Sequence, residues 1–220
     1  MRALVIGASG GIGSAVVGHL SARGDDVTAL SRSADGLDVT DEAQVARVIG
    51  RLSGPFDLVM CATGALELHG AAPEKTLRNL DVATMAAQFT LNAVGPAILL
   101  KHVLPLMPKG SAARFAALSA RVGSIGDNGL GGWYSYRAAK AALNQLIHTA
   151  AIEIARTHPM AVVACLHPGT VATPLTARYA GNHATVSPSV AAGNLIRVIE
   201  TLTPSQSGGF YDWQGKEIPW

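Results

Sequence analysis

Short apolar runs alternate along this chain with longer stretches in which apolar residues recur at three- and four-residue spacing. The runs at Ala3–Ile6, Val27–Leu30, Phe56–Ala62, Arg114–Ser119, Ala161–Leu166 and Gly208–Asp212 predict β-strands. Helical spacing is carried by Ile12, Val16, Val17 and Leu20 within Gly11–Ala22, and by Val45, Val48, Ile49 and Leu52 within Glu42–Leu52. Asp41 or Thr40 is placed to cap the second of these helices. Further helices are predicted within Asp81–Met107, over the alanine-rich Tyr134–Ala155 and over Ser189–Leu202. Strands alternating with helices imply βαβ units with right-handed crossovers. The expectation is one α/β domain over residues 1–220, a doubly wound parallel sheet with helices on both faces. The irregular stretch Pro168–Pro188 follows a strand. Ligands of open parallel sheets sit beyond the carboxyl ends of the strands. Residues of about 170–188 are therefore expected to form a substrate loop, with Leu175, Tyr179 and His183 as candidate lining.

Composition narrows the partners. A chain of 220 residues that is 49% apolar and 15% charged is globular rather than disordered. The net charge of +2 and the lack of a basic run make nucleic acid and an anionic membrane surface unexpected partners. The opening apolar run is too short for a secretory signal, and Pro96, Lys101 and Pro105 interrupt the apolar stretch Ala93–Leu106, so a membrane span is not expected there. Cys61 and Cys165 lie in apolar strands and read as buried thiols, which suits a reducing, cytoplasmic setting. The seven histidines show no metal-ligand spacing, and no metal is expected.

The first candidate for chemistry is Gly7-Ala8-Ser9-Gly10-Gly11-Ile12-Gly13, between the first strand and the first helix. Glycines let the backbone approach a pyrophosphate closely, and the following helix directs free N–H groups and its positive dipole end at that phosphate. A helix-entry turn would use the same residues, but strand, glycine loop and helix in this order favour a dinucleotide. The second candidate is Tyr136 with Lys140 at the start of the long helix, four residues apart on one face. A cation near a phenol lowers its pKa towards the range useful for proton transfer. Tyr134, the rival phenol, has Ala138 at the corresponding position.

With Gly7, Gly11 and Gly13 spaced GxxxGxG and Tyr136-Arg137-Ala138-Ala139-Lys140 spaced YxxxK, the chain resembles the short-chain dehydrogenase/reductase family from Leu4 to about Trp213. The resemblance implies a Rossmann-type fold of about seven strands in the order 3-2-1-4-5-6-7, with Tyr136 as acid/base and Lys140 lowering its pKa and holding the nicotinamide ribose. It implies a proton path supported by Asn92, although an amide in that apolar helix also reads as a satisfied core residue. It assigns adenine contacts to Asp38 and Val39, where a simple turn is the alternative. It assigns the cofactor pocket to Gly7, Ser9, Gly11, Ile12, Gly13, Ala62 and Gly64, although Cys61-Ala62-Thr63-Gly64 keeps little of the family's NNAG. Pro168, Gly169, Val171 and Thr173 match the family's loop beside the nicotinamide. Ser119 to Asn128 and the ending Phe210-Tyr211-Asp212-Trp213 look like the small C-factor-like and sniffer-like carbonyl reductases.

One position departs from the pattern. The family's serine stands three residues before a glycine, and counting back from Gly123 reaches Ala120. Either a bulge brings Ser119 round, or Ser124 reaches in, or the site works without this hydroxyl, with Ser119 preferred. The second strand ends Leu30-Ser31-Arg32-Ser33, so Arg32 is placed for a 2′-phosphate and NADP(H) is expected over NAD(H), for which Asp35 would have to take the ribose. The expected activity is hydride transfer between the nicotinamide and a small carbonyl or alcohol, in a homodimer or homotetramer. The alternative is a dinucleotide-binding signalling or sensing protein with little turnover, which Ala120 favours and the intact Tyr136–Lys140 pair opposes.

Overall fold

The first apolar run forms β1 (Arg2–Ile6), whose last four residues are buried. A strand covered by helices on both faces is apolar throughout, and this one takes an interior place in the sheet. Around it the computed structural model, which describes residues 1–68, 70–174, 176–179 and 184–220, arranges the rest of the chain. In order these are α1 (Gly11–Ala22), β2 (Asp26–Leu30), α2 (Arg32–Asp35), α3 (Glu42–Ile49), β3 (Leu58–Cys61), α4 (Val82–Phe89), α5 (Gly95–Val103), β4 (Ala113–Leu118), α6 (Tyr134–Ile154), β5 (Ala161–His167), α7 (Pro188–Thr201) and β6 (Phe210–Asp212). Leu175 and His183 of the expected substrate loop lie outside the described residues.

The strands pair in parallel in the order β2-β1-β3-β4-β5-β6. Alternate strand residues feed two cores. Leu4, Ile6, Val59, Phe115 and Val163 face Val45, Leu99, Leu143 and Ile147 from α3, α5 and α6. Ala3, Val5, Met60, Ala116 and Leu166 face Val16, Leu20, Leu195 and Ile199 from α1 and α7. The chain leaves β1 for β2 on one side and returns to β3 on the other. That reversal opens a crevice at the carboxyl ends of β1 and β3, where such sheets bind ligands.

The doubly wound fold is as expected, with one correction to its edge. Among the described residues the sheet has six strands, and the outermost of the expected seven is missing. The cause is local. After β2, α2 lasts four residues and is closed by Gly36 at φ 64. Leu37 and Val39 then turn into the core instead of pairing along the outer edge of β2. Asp38 holds a turn here, accepting from the Thr40 N–H at 2.9 Å.

The region Asp81–Met107 is helical, as expected. Asp81 caps α4 by accepting the Thr84 N–H at 2.8 Å. Pro96 does not end the helix. A π turn at Thr90–Val94 precedes it, and Pro96 falls in the first turn of α5, where its missing N–H costs little. The helical stretch Val82–Leu106 is thus continuous and 25 residues long, and it is long and apolar enough by length and composition alone to cross a membrane. In this fold it packs against α3 and α6.

Candidate active site

The glycine loop follows from close packing at the end of β1. The Gly7 and Ala8 N–H groups donate to the Leu30 carbonyl at 2.9 and 3.0 Å, which draws the chain sharply across the end of β2. Gly7 sits at φ 88, and a Cβ at Gly13 would overlap the Gly7 carbonyl oxygen, so neither position admits a side chain. Gly10 occupies the N-cap of α1 without a side-chain cap, and no acidic residue stands in the first turn. The leading N–H groups at Gly11, Ile12 and Gly13 are therefore open to an anion, with Ser9 exposed beside them. Ala62 lies against Gly7, and Thr173 from beyond β5 closes on Gly11, where a Cβ would come within 2.9 Å of its methyl group. The loop carrying Thr173 is drawn in by the bridge between Val171 and Val186. Pro168 is half-buried, and Gly169 at φ 79 lies beneath the Trp213 indole. This cradle fits a dinucleotide pyrophosphate.

Arg32 is exposed at the start of α2, and its charge helps hold Asp38 below the usual carboxylate range, behind two hydrogen bonds from Thr40. Asp35, the rival ribose ligand, accepts the Ser31 N–H at 2.7 Å and is committed to its own turn. Val39 is buried against Gly95, where any side chain would collide with it.

Tyr136 and Lys140 are both buried on the sheet-facing side of α6. The Lys140 ammonium lies 5.7 Å from the centroid of the Tyr136 ring and donates to the Leu118 carbonyl at 2.9 Å. Burial lowers Lys140 to a pKa of about 8. Burial also pushes the Tyr136 phenol up to about 12. The expected lowering of Tyr136 is thus corrected. The cation sits over the ring and spends a proton on a carbonyl, and loss of solvent dominates. Asn92 comes to the same place from the π turn. Its amide accepts the Ala65 N–H at 3.1 Å and donates to the Ala65 carbonyl at 2.9 Å and to Gln88 at 2.6 Å. Gly64 lies between them, where a Cβ would stand 2.7 Å from Asn92 Oδ1 and 3.4 Å from Lys140 Nζ.

The serine is where geometry departs from expectation. Ser119 continues the face of β4 that packs on α6, and its hydroxyl donates to Asn144 Oδ1 at 2.6 Å rather than to Tyr136. No bulge brings it round. Ser124 is also engaged elsewhere, accepting the Asp127 N–H at 3.1 Å. The residue three before Gly123, where the family pattern has its serine, is Ala120.

Sequence reasoning missed two neighbours of Tyr136. Glu74 is buried, and its carboxylate takes the hydroxyl and the N–H of Ser135. Its carbonyl accepts the Trp133 N–H at 2.6 Å. Trp133 has φ 52, the left-handed region that a bulky residue enters at a cost of about 1–3 kcal/mol. Tyr179 packs on the Trp133 ring. The sole sequence signal was Gly131-Gly132 before the tryptophan; Glu74 in Pro73-Glu74-Lys75 reads as solvated.

Comparison with known proteins places these features. Residues 36–183 match the family model described as short chain dehydrogenase. A 1-hydroxy-2-glutathionyl-2-methyl-3-butene dehydrogenase of Rhodococcus sp. (strain AD45) is 35% identical, with 99% of this chain and 98% of that protein covered. The C-signal protein of Myxococcus xanthus is 36% identical over 76% of this chain and 95% of its own length. Among solved structures, an NADPH-bound carbonyl reductase from chicken fatty liver superposes with a TM-score of 0.85 at 24% identity, covering 100% of this chain and 98% of that one. At that identity the likeness is one of fold.

Proposed function

The chain belongs to the short-chain dehydrogenase/reductase family, and on that premise we propose that it is an NADP(H)-preferring carbonyl reductase with Tyr136 as its proton donor. The observation that carries this reading is the burial of Tyr136 against Lys140. Burial keeps the phenol protonated, and the ammonium beside its ring stands ready for the phenolate that forms when the proton is given up. When bound, the dinucleotide supplies the hydride. Gly11, Ile12 and Gly13 hold its pyrophosphate, and Arg32 holds the 2′-phosphate that distinguishes NADP from NAD. Tyr136 gives its proton to the carbonyl oxygen. The phenolate left behind is buried, and the Lys140 ammonium beside the ring supplies its counter-charge. Asn92 positions the segment Gly64–Leu66 against Lys140 and so shapes any proton path to it.

The test is NADPH oxidation over a panel of aldehydes and ketones by wild type and Tyr136→Phe. Turnover that survives the substitution undiminished refutes the role. In the oxidative direction a glutathionyl-substituted alcohol is the first compound to try, because the Rhodococcus relative is named for one. A homodimer or homotetramer in the cytoplasm belongs to the same proposal, supported by the two buried free thiols for the compartment alone.

A second reading is favoured by one observation. Ala120 and the commitment of Ser119 to Asn144 leave the carbonyl without its second donor, as suits a dinucleotide-dependent signalling protein with little turnover. Tight NADPH binding with no turnover across the panel would select it.

A further inference from the structure

Two aromatic residues outside the reaction above meet beside Tyr136. Trp133 is the one non-glycine among the described residues with a left-handed backbone, and Gly131 and Gly132 before it have φ 67 and 66. A third glycine would continue this turn without strain, yet the chain places an indole there. Glu74 holds it in place from both sides of the peptide, through its carbonyl to Trp133 and its carboxylate to Ser135. Strain kept in place by a buried brace marks a position where the side chain is needed.

Lys140 follows Tyr136 by one turn of α6, whereas Trp133 is the N-cap residue three positions before Tyr136, outside the helix. The half-buried indole meets Tyr136 edge-on, with centroids 6.4 Å apart and planes at 73°. It meets Tyr179, beyond β5, at 5.4 Å and 81°. Tyr179 is itself anchored, its hydroxyl donating to the Glu67 carboxylate, which Arg178 also approaches at 3.4 Å. Trp133 therefore links the proton donor to the loop that follows β5.

We propose that Trp133 is the specificity-determining residue of this site, forming with Tyr179 an aromatic wall that takes the flat, unsaturated or aryl substituent of the carbonyl substrate. The proposal rests on the reading of Tyr136 as the reductase acid. Aromatic groups gain from edge and offset contacts beyond the area they bury. Such a wall acts on substrate and transition state alike, so its loss appears in KM rather than kcat.

The experiment compares benzaldehyde with propanal as substrates of the NADPH-loaded protein, in wild type, Trp133→Gly and Trp133→Phe. Glycine suits the left-handed backbone and removes the indole without added strain; phenylalanine keeps an aromatic ring. The expected result is a rise in KM for benzaldehyde of about tenfold or more in Trp133→Gly. The KM for propanal should stay within about threefold, kcat should hold for both, and Trp133→Phe should recover most of the loss. An equal change for both aldehydes, or no change, overturns the proposal. Should wild type reduce neither aldehyde, the reductase reading fails on its own. Calorimetric binding of the two aldehydes to NADPH-loaded wild type and Trp133→Gly then decides the wall. A preference for benzaldehyde that vanishes with the indole supports it, and equal binding in both proteins overturns it.

Discussion

The Ser119 hydroxyl donates to Asn144 Oδ1 at 2.6 Å, which turns the nearest serine of this family's pattern into a strut between β4 and α6. Ser119→Ala is therefore expected to lower stability by about 1–2 kcal/mol, because a buried acceptor loses its donor. Its effect on kcat should be less than about threefold. Ala120→Ser, by restoring the hydroxyl at the matching position, should raise kcat by up to ~10². Urea unfolding and steady-state NADPH oxidation measure the two effects. A collapse of kcat in Ser119→Ala with stability intact would reverse the assignment.

Gly64 is expected to be intolerant of a side chain. Its φ of 140 and the 2.7 Å that would separate a Cβ from Asn92 Oδ1 mean that Gly64→Ala must displace either the backbone or the amide beside Lys140. A loss of about 1–3 kcal/mol in stability is expected. Because either movement disturbs the contact beside Lys140, kcat should fall by more than the residual folded fraction explains. Thermal melts beside single-turnover rates check this.

Lys140 should trade stability for function. Its folded pKa of about 8 lies below the ordinary 10.5. Between those values the unfolded chain binds a proton that the folded chain does not, so stability from this group rises as pH rises through the window. Below pH 8 the full cost of burying the charge stands, about 3 kcal/mol. Lys140→Met removes that cost but leaves the Leu118 carbonyl unpaired, at about 1–3 kcal/mol. The variant should be inactive yet about 1 kcal/mol more stable than wild type at pH 7. The advantage should shrink and reverse by pH 10.5. Chemical denaturation across pH 7–10.5 reads this directly, and a difference that does not vary with pH would refute it.

Arg32 should carry cofactor choice. Arg32→Ala is expected to weaken NADPH by about tenfold or more, the loss of one charge-assisted phosphate contact, with little change for NADH. Fluorescence titration of both nucleotides decides it. An unchanged ratio would leave the preference to another residue.

Much of this is legible in the sequence alone. Tyr136 and Lys140 fall on one face because helical spacing puts them there, and Gly7, Gly11 and Gly13 announce a close backbone approach because nothing else in the alphabet permits it. The sixfold alternation of apolar runs with helical spacing was enough for the doubly wound sheet. Edges were less legible. The helix expected within Asp81–Met107 forms, but the π turn at Thr90–Val94 that precedes Pro96 has no residue signature. The missing outer strand depends on Gly36 ending α2 after one turn.

The sequence by itself determined the order of strands and helices, the glycine cradle and the Tyr136–Lys140 face, because each follows from local spacing. Only the tertiary structure decided which way Ser119 points, how far burial outweighs the Lys140 charge at Tyr136, and that Glu74 braces a strained Trp133. Those outcomes depend on partners far apart in the chain, Ser119 with Asn144, Tyr136 with its surroundings, and Glu74 with Ser135. Their balance of solvent loss against hydrogen bonding exists only once those partners are packed together.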